Sequence, residues 1–179
     1  LVELKKNIRV LAISTGAVYD SNQQMPLTED STLVTSGSPY AMSKLQMEEK
    51  IEKYREMGYE IIVVRPFNHT GPGQGPGFIV PDLTMRVIRD NKLVVGPLNT
   101  QRDYTHVSDV VRAYRTLIEH SEALKYHVYN VCSGVATSRD DLIKTIEDTT
   151  GKHNLEITVD QSLGRPSDPL VLFGSHDRL

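Results

Sequence analysis

A tyrosine and a lysine four residues apart are the side chains of this sequence best placed to move a proton. Tyr40 and Lys44 follow Ser38-Pro39. In a helix, a spacing of four places the phenol and the ammonium on one face, and a nearby positive charge favours the ionised form of a phenol. Such a pair can exchange a proton with a carbonyl or an alcohol. The alternative is an ordinary surface helix, because a tyrosine and a lysine at this spacing more often have no catalytic role.

Two hydroxyl side chains, Ser14 and Thr15, stand where they could complete this pair. They lie at the end of the apolar run Arg9–Ser14, which has the length of a buried strand. Ligands of open parallel sheets bind at the carboxyl ends of the strands. A hydroxyl there, followed by a helix with Tyr40 and Lys44, makes a Ser/Thr–Tyr–Lys constellation. For Ser14, a hydroxyl that only caps the strand end is the alternative interpretation.

The elements that would position these residues follow an α/β order. Ser38 and Pro39 predict a helix start, Gly58 predicts its stop, and Glu60–Arg65 is the next strand. Strand, helix and strand at this spacing predict a parallel sheet with a right-handed crossover. The remaining predicted elements alternate to the end of the chain: helices over 80–89, from Ser108, and from Ser138 to Gly151, and strands over 93–95, 127–131 and 155–159. Residues 15–38 should form a surface loop.

The composition excludes several classes of protein. The 179 residues are 39% hydrophobic and 24% charged with a net charge of -3, which is typical of a globular chain and favours no nucleic-acid partner. Cys132 is the single cysteine, so we expect a reducing compartment, the cytoplasm. No apolar run has membrane-spanning length, so no membrane partner is expected. The six histidines lack metal-ligand spacing, and no metal is expected.

Four phrases of the sequence together resemble the extended short-chain dehydrogenase/reductase family, the NAD-dependent epimerases, dehydratases and reductases of nucleotide sugars. They are Ser14–Tyr19, Ser38–Lys44, Arg65–Pro72 and Arg102–Asp109, in the family's order. The resemblance implies the C-terminal part of a Rossmann-type doubly wound parallel sheet plus a smaller α/β substrate-binding region. Residues 1–70 would be the C-terminal half of the dinucleotide-binding domain, and residues 71–179 mainly the substrate region, with some strands returning to the main sheet.

The resemblance implies a role for each residue that matches a family motif. Tyr40 would donate or accept the proton at the reacting sugar oxygen. Thr15 would hydrogen-bond that oxygen and bind substrate. Tyr40 and Lys44 would also bind the cofactor, NADP or NAD, with Lys44 holding the nicotinamide ribose. Ser14 would be a further cofactor contact.

The second strand and the later motifs would complete the site. Phe67 and His69 would line the nicotinamide pocket, although a loop histidine with structural hydrogen bonds is an equal alternative for His69. Asn68, Arg102 and Arg165 would bind the nucleotide-sugar substrate, since a guanidinium suits a pyrophosphate.

Two neighbouring features are expected to shape the site without holding the cofactor. Asp103 should orient its loop. The glycine-rich stretch 71–77 never spells GxGxxG, so it favours a wall of the substrate site over a dinucleotide cradle.

The reaction that the resemblance implies is hydride transfer from NAD(P)H to the C4 keto group of a GDP-6-deoxy-hexulose, with Tyr40 as proton donor. Residues 65–74 and 165–168 are most similar to the family's reductases. Gly16 and Ala17 stand where its dehydratases carry an acidic pair, which argues against dehydration. A UDP-glucose-type 4-epimerase, a dehydratase, and a catalytically silent dinucleotide-sensing or scaffold protein of the same fold stay open.

By the same resemblance, the chain corresponds to the family from just before the strand that carries Thr15. We therefore expect it to lack the first half with the GxxGxxG turn, and to be inactive and to bind cofactor poorly in isolation. The full-length protein is expected to be a homodimer. The outer face of the Tyr40 helix, with Glu48, Glu49, Glu52 and Lys53, is expected to be solvated and gives no support for that contact.

Overall fold

The computed structural model describes residues 8–97, 99–163 and 169–179, which fold into four α-helices and nine strands. The helices are α1 (Pro39–Glu56), α2 (Ile79–Asp90), α3 (Val107–Glu119) and α4 (Arg139–Thr150). The strands are β1 (Val10–Ile13), β2 (Ile61–Pro66), β3 (Asn68–Thr70), β4 (Lys92–Val95), β5 (Gln101–His106), β6 (Val128–Val131), β7 (Ala136–Ser138), β8 (Glu156–Val159) and β9 (Val171–Leu172). None of the described helices is both long and apolar enough to cross a membrane.

The main sheet is parallel, with strand order β1-β2-β6. All six residues of β2 are buried, because helices cover both faces of the sheet. Ile61 and Val63 pack with residues of α1, whereas Ile62 and Val64 pack with residues of α3. Alternate side chains of one strand therefore enter two different cores, as expected for a parallel sheet with helices on both sides. The predicted α/β class and the strand–helix–strand unit are confirmed.

The later strands form two smaller sheets beside the main one. In the first, β5 pairs in parallel with β3 and β9 and antiparallel with β7. In the second, β4 pairs in parallel with β8. Helices α2 and α4 cover this pair, and the apolar cluster between them contains Val87, Leu93 and Ile143.

Local capping signals explain where two of the helices begin. Ser38 accepts a hydrogen bond from the Ala41 amide at 3.2 Å at the start of α1, as predicted. The predicted cap at Ser108 is wrong. His106 occupies the cap of α3, and its side chain accepts from the Ser108 amide. The His106 ring nitrogen therefore makes the capping hydrogen bond that the Ser108 hydroxyl was expected to make.

Two expectations about solvent exposure are also wrong. The stretch 15–38 is not only a surface loop, because Val18, Tyr19 and Leu27 are buried in an apolar cluster with Phe67. Glu48 is not solvated, because its side chain is only 11% exposed and pairs with a buried arginine.

Replacing Ser138 with alanine should destabilise the protein by about 1 kcal/mol, because Ser138 is the cap of α4. Its Oγ accepts from the Asp141 amide at 3.0 Å, and the Asp141 carboxylate accepts from the Ser138 amide at 3.2 Å. The Ser138 hydroxyl also donates to this carboxylate at 2.6 Å, and the bonds from the Ser138 hydroxyl and amide hold the pKa of Asp141 below its usual range. A lowered folded-state pKa stabilises the fold above the unfolded pKa of the carboxyl, and this contribution is lost as pH falls through the folded value.

Urea unfolding at several pH values tests this cap. The difference in unfolding free energy between Ser138→Ala and the unchanged protein should be present at neutral pH and become smaller in acid. Thr145→Ala, at an exposed position of the same helix, is the control and should cost nothing. A gap of equal size at every pH would contradict the assigned role of Asp141.

Candidate active site

A cavity of about 570 Å³ lies beside the carboxyl ends of β1 and β2. Five of the predicted site residues line it together: Thr15, Tyr40, Phe67, Asn68 and His69. They come from the turn after β1, the first turn of α1 and the segment after β2. The volume is in the range of small-molecule sites.

Thr15 brings a hydroxyl to this cavity. It caps the short 3-10 helix Gly16–Val18, and its Oγ1 accepts from the Ala17 amide at 3.2 Å. That bond uses an oxygen lone pair, so the hydroxyl proton can still be donated to a second acceptor. A ligand oxygen in the cavity could be that acceptor.

Tyr40 and Lys44 lie one helical turn apart at the start of α1. Tyr40 is 55% exposed and lines the cavity. The Lys44 Nζ lies 5.9 Å from the centre of the Tyr40 ring and donates to the carbonyl oxygen of Ile13 at 2.9 Å. Since Ile13 is the last residue of β1, this bond fixes the ammonium at the strand end that leads into Thr15. Lys44 itself does not line the cavity.

Phe67 and His69 form part of the cavity wall. Phe67 is 6% exposed, and a Cβ added to Gly16 would lie 3.1 Å from its ring, so a glycine lets the β1 turn approach the ring closely. His69 donates from Nδ1 to the carbonyl oxygen of Phe67 at 3.1 Å. In a neutral imidazole this leaves Nε2 as an acceptor. Asn68 is exposed between them and begins β3.

Besides Lys44, two of the described site residues that were predicted, Ser14 and Arg102, do not line the cavity. Ser14 is 2% exposed, and its hydroxyl donates to Glu48. The Arg102 guanidinium donates to the carbonyl oxygens of Gln101 and Pro169, both at 2.8 Å. Arg165 lies outside the described residues.

Asp103 holds one wall of the cavity in position. Its side chain is 1% exposed and accepts from the amide and hydroxyl of Ser133, both at 2.7 Å, and from the Gly134 amide at 2.9 Å. These bonds tie β5 to the turn that follows β6. Asp103 thus lies within a strand, not in a loop of its own, and the loop that it orients is the one after β6.

Sequence reasoning missed several residues of the cavity wall. They are Thr70, Phe78, Ile79, Val80, Tyr104 and Leu172. Thr70 and Tyr104 could have been found, because they lie inside the 65–72 and 102–109 motifs. The others lie on elements whose packing the sequence did not reveal. The glycine-rich stretch 71–77 contributes Gln74 and Gly77 to the wall of this cavity, and its role as a wall of the substrate site stays a prediction.

A second cavity of about 570 Å³ shares Tyr104 with the first but contains none of the predicted site residues. Cys132 lines it. Burial and the neighbouring Asp103 carboxylate raise the pKa of this thiol to about 12. The thiol is therefore protonated at neutral pH and unsuited to act as a nucleophile.

Comparison with known proteins identifies relatives along nearly the whole chain. The family model described as NAD dependent epimerase/dehydratase family matches residues 2–132. GDP-6-deoxy-D-mannose reductase of Pseudomonas aeruginosa is 36% identical over 94% of this chain and 57% of that protein. GDP-6-deoxy-D-talose 4-dehydrogenase of Aggregatibacter actinomycetemcomitans is 30% identical over 95% of this chain and 56% of that protein.

A solved structure of similar fold is RMD from Pseudomonas aeruginosa complexed with NADPH. It superimposes with a TM-score of 0.82 at 34% identity, over 94% of this chain and 57% of that one. The chain thus spans little more than half the length of these relatives. The similarities confirm the predicted family resemblance and the Rossmann-type α/β class.

Proposed function

This chain belongs to the NAD dependent epimerase/dehydratase family, and from that premise we propose that the full-length protein is a nucleotide-sugar reductase. The reaction is hydride transfer from NADPH or NADH to the C4 keto group of a GDP-6-deoxy-hexulose. The relatives named above support this substrate class, since both act on GDP-bound 6-deoxy sugars by name.

One observation carries the proposal: Thr15, Tyr40 and Asn68 share a single cavity although they lie far apart in the chain. A phenol and a hydroxyl at one end of a cavity can approach the same carbonyl oxygen. That is what protonation and stabilisation of a developing alkoxide require.

The residues around this cavity fit a dinucleotide cofactor at its nicotinamide end. Phe67 and His69 provide a partly apolar wall, and Tyr40 provides a phenol. The Lys44 ammonium lies outside this lining, 5.9 Å from the centre of the Tyr40 ring, and would contact a ribose bound beside Tyr40. When bound, the reduced nicotinamide supplies the hydride. Ser14 is not proposed as a direct contact, because its hydroxyl is committed to Glu48.

The chain's own residues manage the proton and the charge. Tyr40 gives its phenolic proton to the oxygen on sugar C4, so the ketone becomes an alcohol. The Thr15 hydroxyl donates a hydrogen bond to the same oxygen and stabilises its developing negative charge. The Lys44 ammonium stabilises the phenolate left behind. Asn68 hydrogen-bonds the diphosphate side of the substrate.

Elimination of water is disfavoured by the cavity's chemistry. Asp103 is the only carboxylate among the described residues that line it, and its oxygens accept from Ser133 and Gly134. Gly16 and Ala17, beside Thr15, offer no acid or base. A dehydratase needs such groups to remove a carbon-bound proton and expel water.

Cofactor stoichiometry tests the proposed function. The full-length protein is mixed with NADPH or NADH and a GDP-4-keto-6-deoxy sugar, and absorbance and product are followed together. A reductase consumes one reduced cofactor for each ketone. Sugar interconversion at constant cofactor concentration would instead identify a 4-epimerase, and binding without turnover a silent dinucleotide-binding protein; either result contradicts the proposal.

We also propose that the full-length protein is a homodimer, as the family resemblance implies. The outer face of α1 carries the exposed charges of Glu49, Glu52 and Lys53, so a contact there would be polar and sensitive to salt. Sedimentation equilibrium should give twice the chain mass. A monomer at every concentration and ionic strength would contradict it.

A further inference from the structure

We propose that Glu48 is a positioning residue, whose carboxylate sets the catalytic helix in register with the strand ends beside it. The inference rests on the proposed function, because it assigns a residue to the same site. Glu48 lies one turn beyond Lys44 and two turns beyond Tyr40 on α1. Its side chain is 11% exposed, so it is oriented toward the sheet.

The Glu48 carboxylate contacts both strands whose ends lead into the cavity. The Ser14 hydroxyl, directly before Thr15, donates to Oε1. Arg65, the fifth residue of β2, donates from Nη2 to Oε2 at 2.6 Å and from Nε to Oε1 at 3.2 Å. The Arg65 side chain is 5% exposed. One carboxylate therefore joins α1, which carries Tyr40, to Ser14 directly before Thr15 and to β2, three residues before Asn68.

Arg65 extends the connection to the third strand of the main sheet. Its Nη1 donates to the Tyr19 hydroxyl at 3.0 Å, and that hydroxyl donates to Asn130 Oδ1 at 2.6 Å. Asn130 lies on β6 and is completely buried. Burial raises the pKa of Tyr19 to about 12 despite the opposing charge of Arg65, so this hydroxyl keeps its proton for Asn130.

The chemistry of these contacts indicates a role in geometry. Apolar side chains of similar volume would hold the same elements together at least as stably, because burying an ion pair costs solvation. Charged hydrogen bonds differ in being directional, and a bidentate pair fixes both distance and angle. Catalysis depends on such precision, since a displacement of about 1 Å can cost about 10²-fold in rate.

Glu48→Gln in the full-length protein is the first test. The glutamine keeps the shape but turns an amide group toward Arg65, where both groups are donors. We expect kcat per folded molecule to fall about 10- to 100-fold, with KM for sugar and cofactor unchanged. Glu56→Gln, at an exposed position near the end of the same helix, is the matched control and should keep the kcat of the unchanged protein.

Ser14→Ala is the second test, and it tests the positioning role of Glu48 by itself if Glu48→Gln does not fold. It removes only the tie to β1 and leaves the Glu48–Arg65 pair intact. We expect a lower kcat with unchanged KM for the cofactor, which separates positioning from direct cofactor contact. Hydrogen exchange of the amides in the first turn of α1 should also become faster than in the unchanged protein.

Two outcomes would overturn the proposal. One is a folded Glu48→Gln or Ser14→Ala protein that has a lower melting temperature but a normal kcat. The other is unchanged exchange in the first turn of α1 for Ser14→Ala. Inactivity of the unchanged protein would be a failure of the proposed reaction instead, and the exchange measurement would still decide the role of Glu48.

Discussion

Replacing Tyr40 with phenylalanine in the full-length protein is expected to lower kcat by about 10²- to 10⁴-fold, the contribution typical of a positioned proton donor. The change removes one oxygen and keeps the ring. Because Tyr40 is 55% exposed, the change leaves no buried partner unsatisfied, and stability should stay the same. KM for the nucleotide sugar should also change little, because Asn68 and the other wall residues keep their places.

The control for this experiment is Tyr54→Phe, the same substitution near the other end of α1. It should turn over as fast as the unchanged protein. Steady-state kinetics with both substrates, together with thermal unfolding, separates a lost proton donor from a lost fold. A Tyr40→Phe protein with normal kcat would remove the phenol from the mechanism.

Asp103→Ala is expected to cost about 3 kcal/mol or more of unfolding free energy, the largest stability effect predicted for this chain. Five hydrogen bonds to one buried carboxylate disappear, three of them at 2.9 Å or less from Ser133 and Gly134, and the Ser133 and Gly134 amides lose their acceptor. Hydrogen bonds to charged groups are stronger than neutral ones, and an unsatisfied amide adds its desolvation cost. Because these bonds tie β5 to the turn after β6, the cavity wall at Tyr104 should loosen as well.

Urea unfolding of three variants and the unchanged protein measures this effect. Asp103→Asn keeps one acceptor oxygen and should lie between Asp103→Ala and the unchanged protein. Asp148→Ala, at an exposed position of α4, is the control and should be as stable as the unchanged protein. If Asp103→Ala and Asp148→Ala unfold at the same urea concentration, the Asp103 carboxylate does not make the predicted contribution to the free energy of unfolding.

The main sheet and its helix could be predicted because their signals are local. The apolar run of β2, the Ser38 cap and the Gly58 stop each act within a few residues. The same holds for α4, where Ser138 and Gly151 mark both ends. The candidate site followed from short phrases whose hydroxyl, phenol and amide side chains meet at the strand ends.

Strand β5 and the buried side of Glu48 could not be predicted, because polar residues do the packing there. In β5 the buried positions are Asp103 and Thr105, so a search for alternating apolar residues finds nothing. Glu48 resembles its solvated neighbours in sequence. Only the fold reveals that Arg65 lies against it and needs a carboxylate.

Transfer of a labelled hydride tests the central claim most directly. The full-length protein is given NADPH or NADH with deuterium at both C4 positions of the nicotinamide, together with a GDP-4-keto-6-deoxy sugar, and the product is examined by NMR. The proposed reaction predicts one deuterium on the sugar carbon that bore the keto group and a hydroxyl on the same carbon. A product without deuterium there, or an unchanged ketone, would contradict the assignment of this cavity as a reductase site.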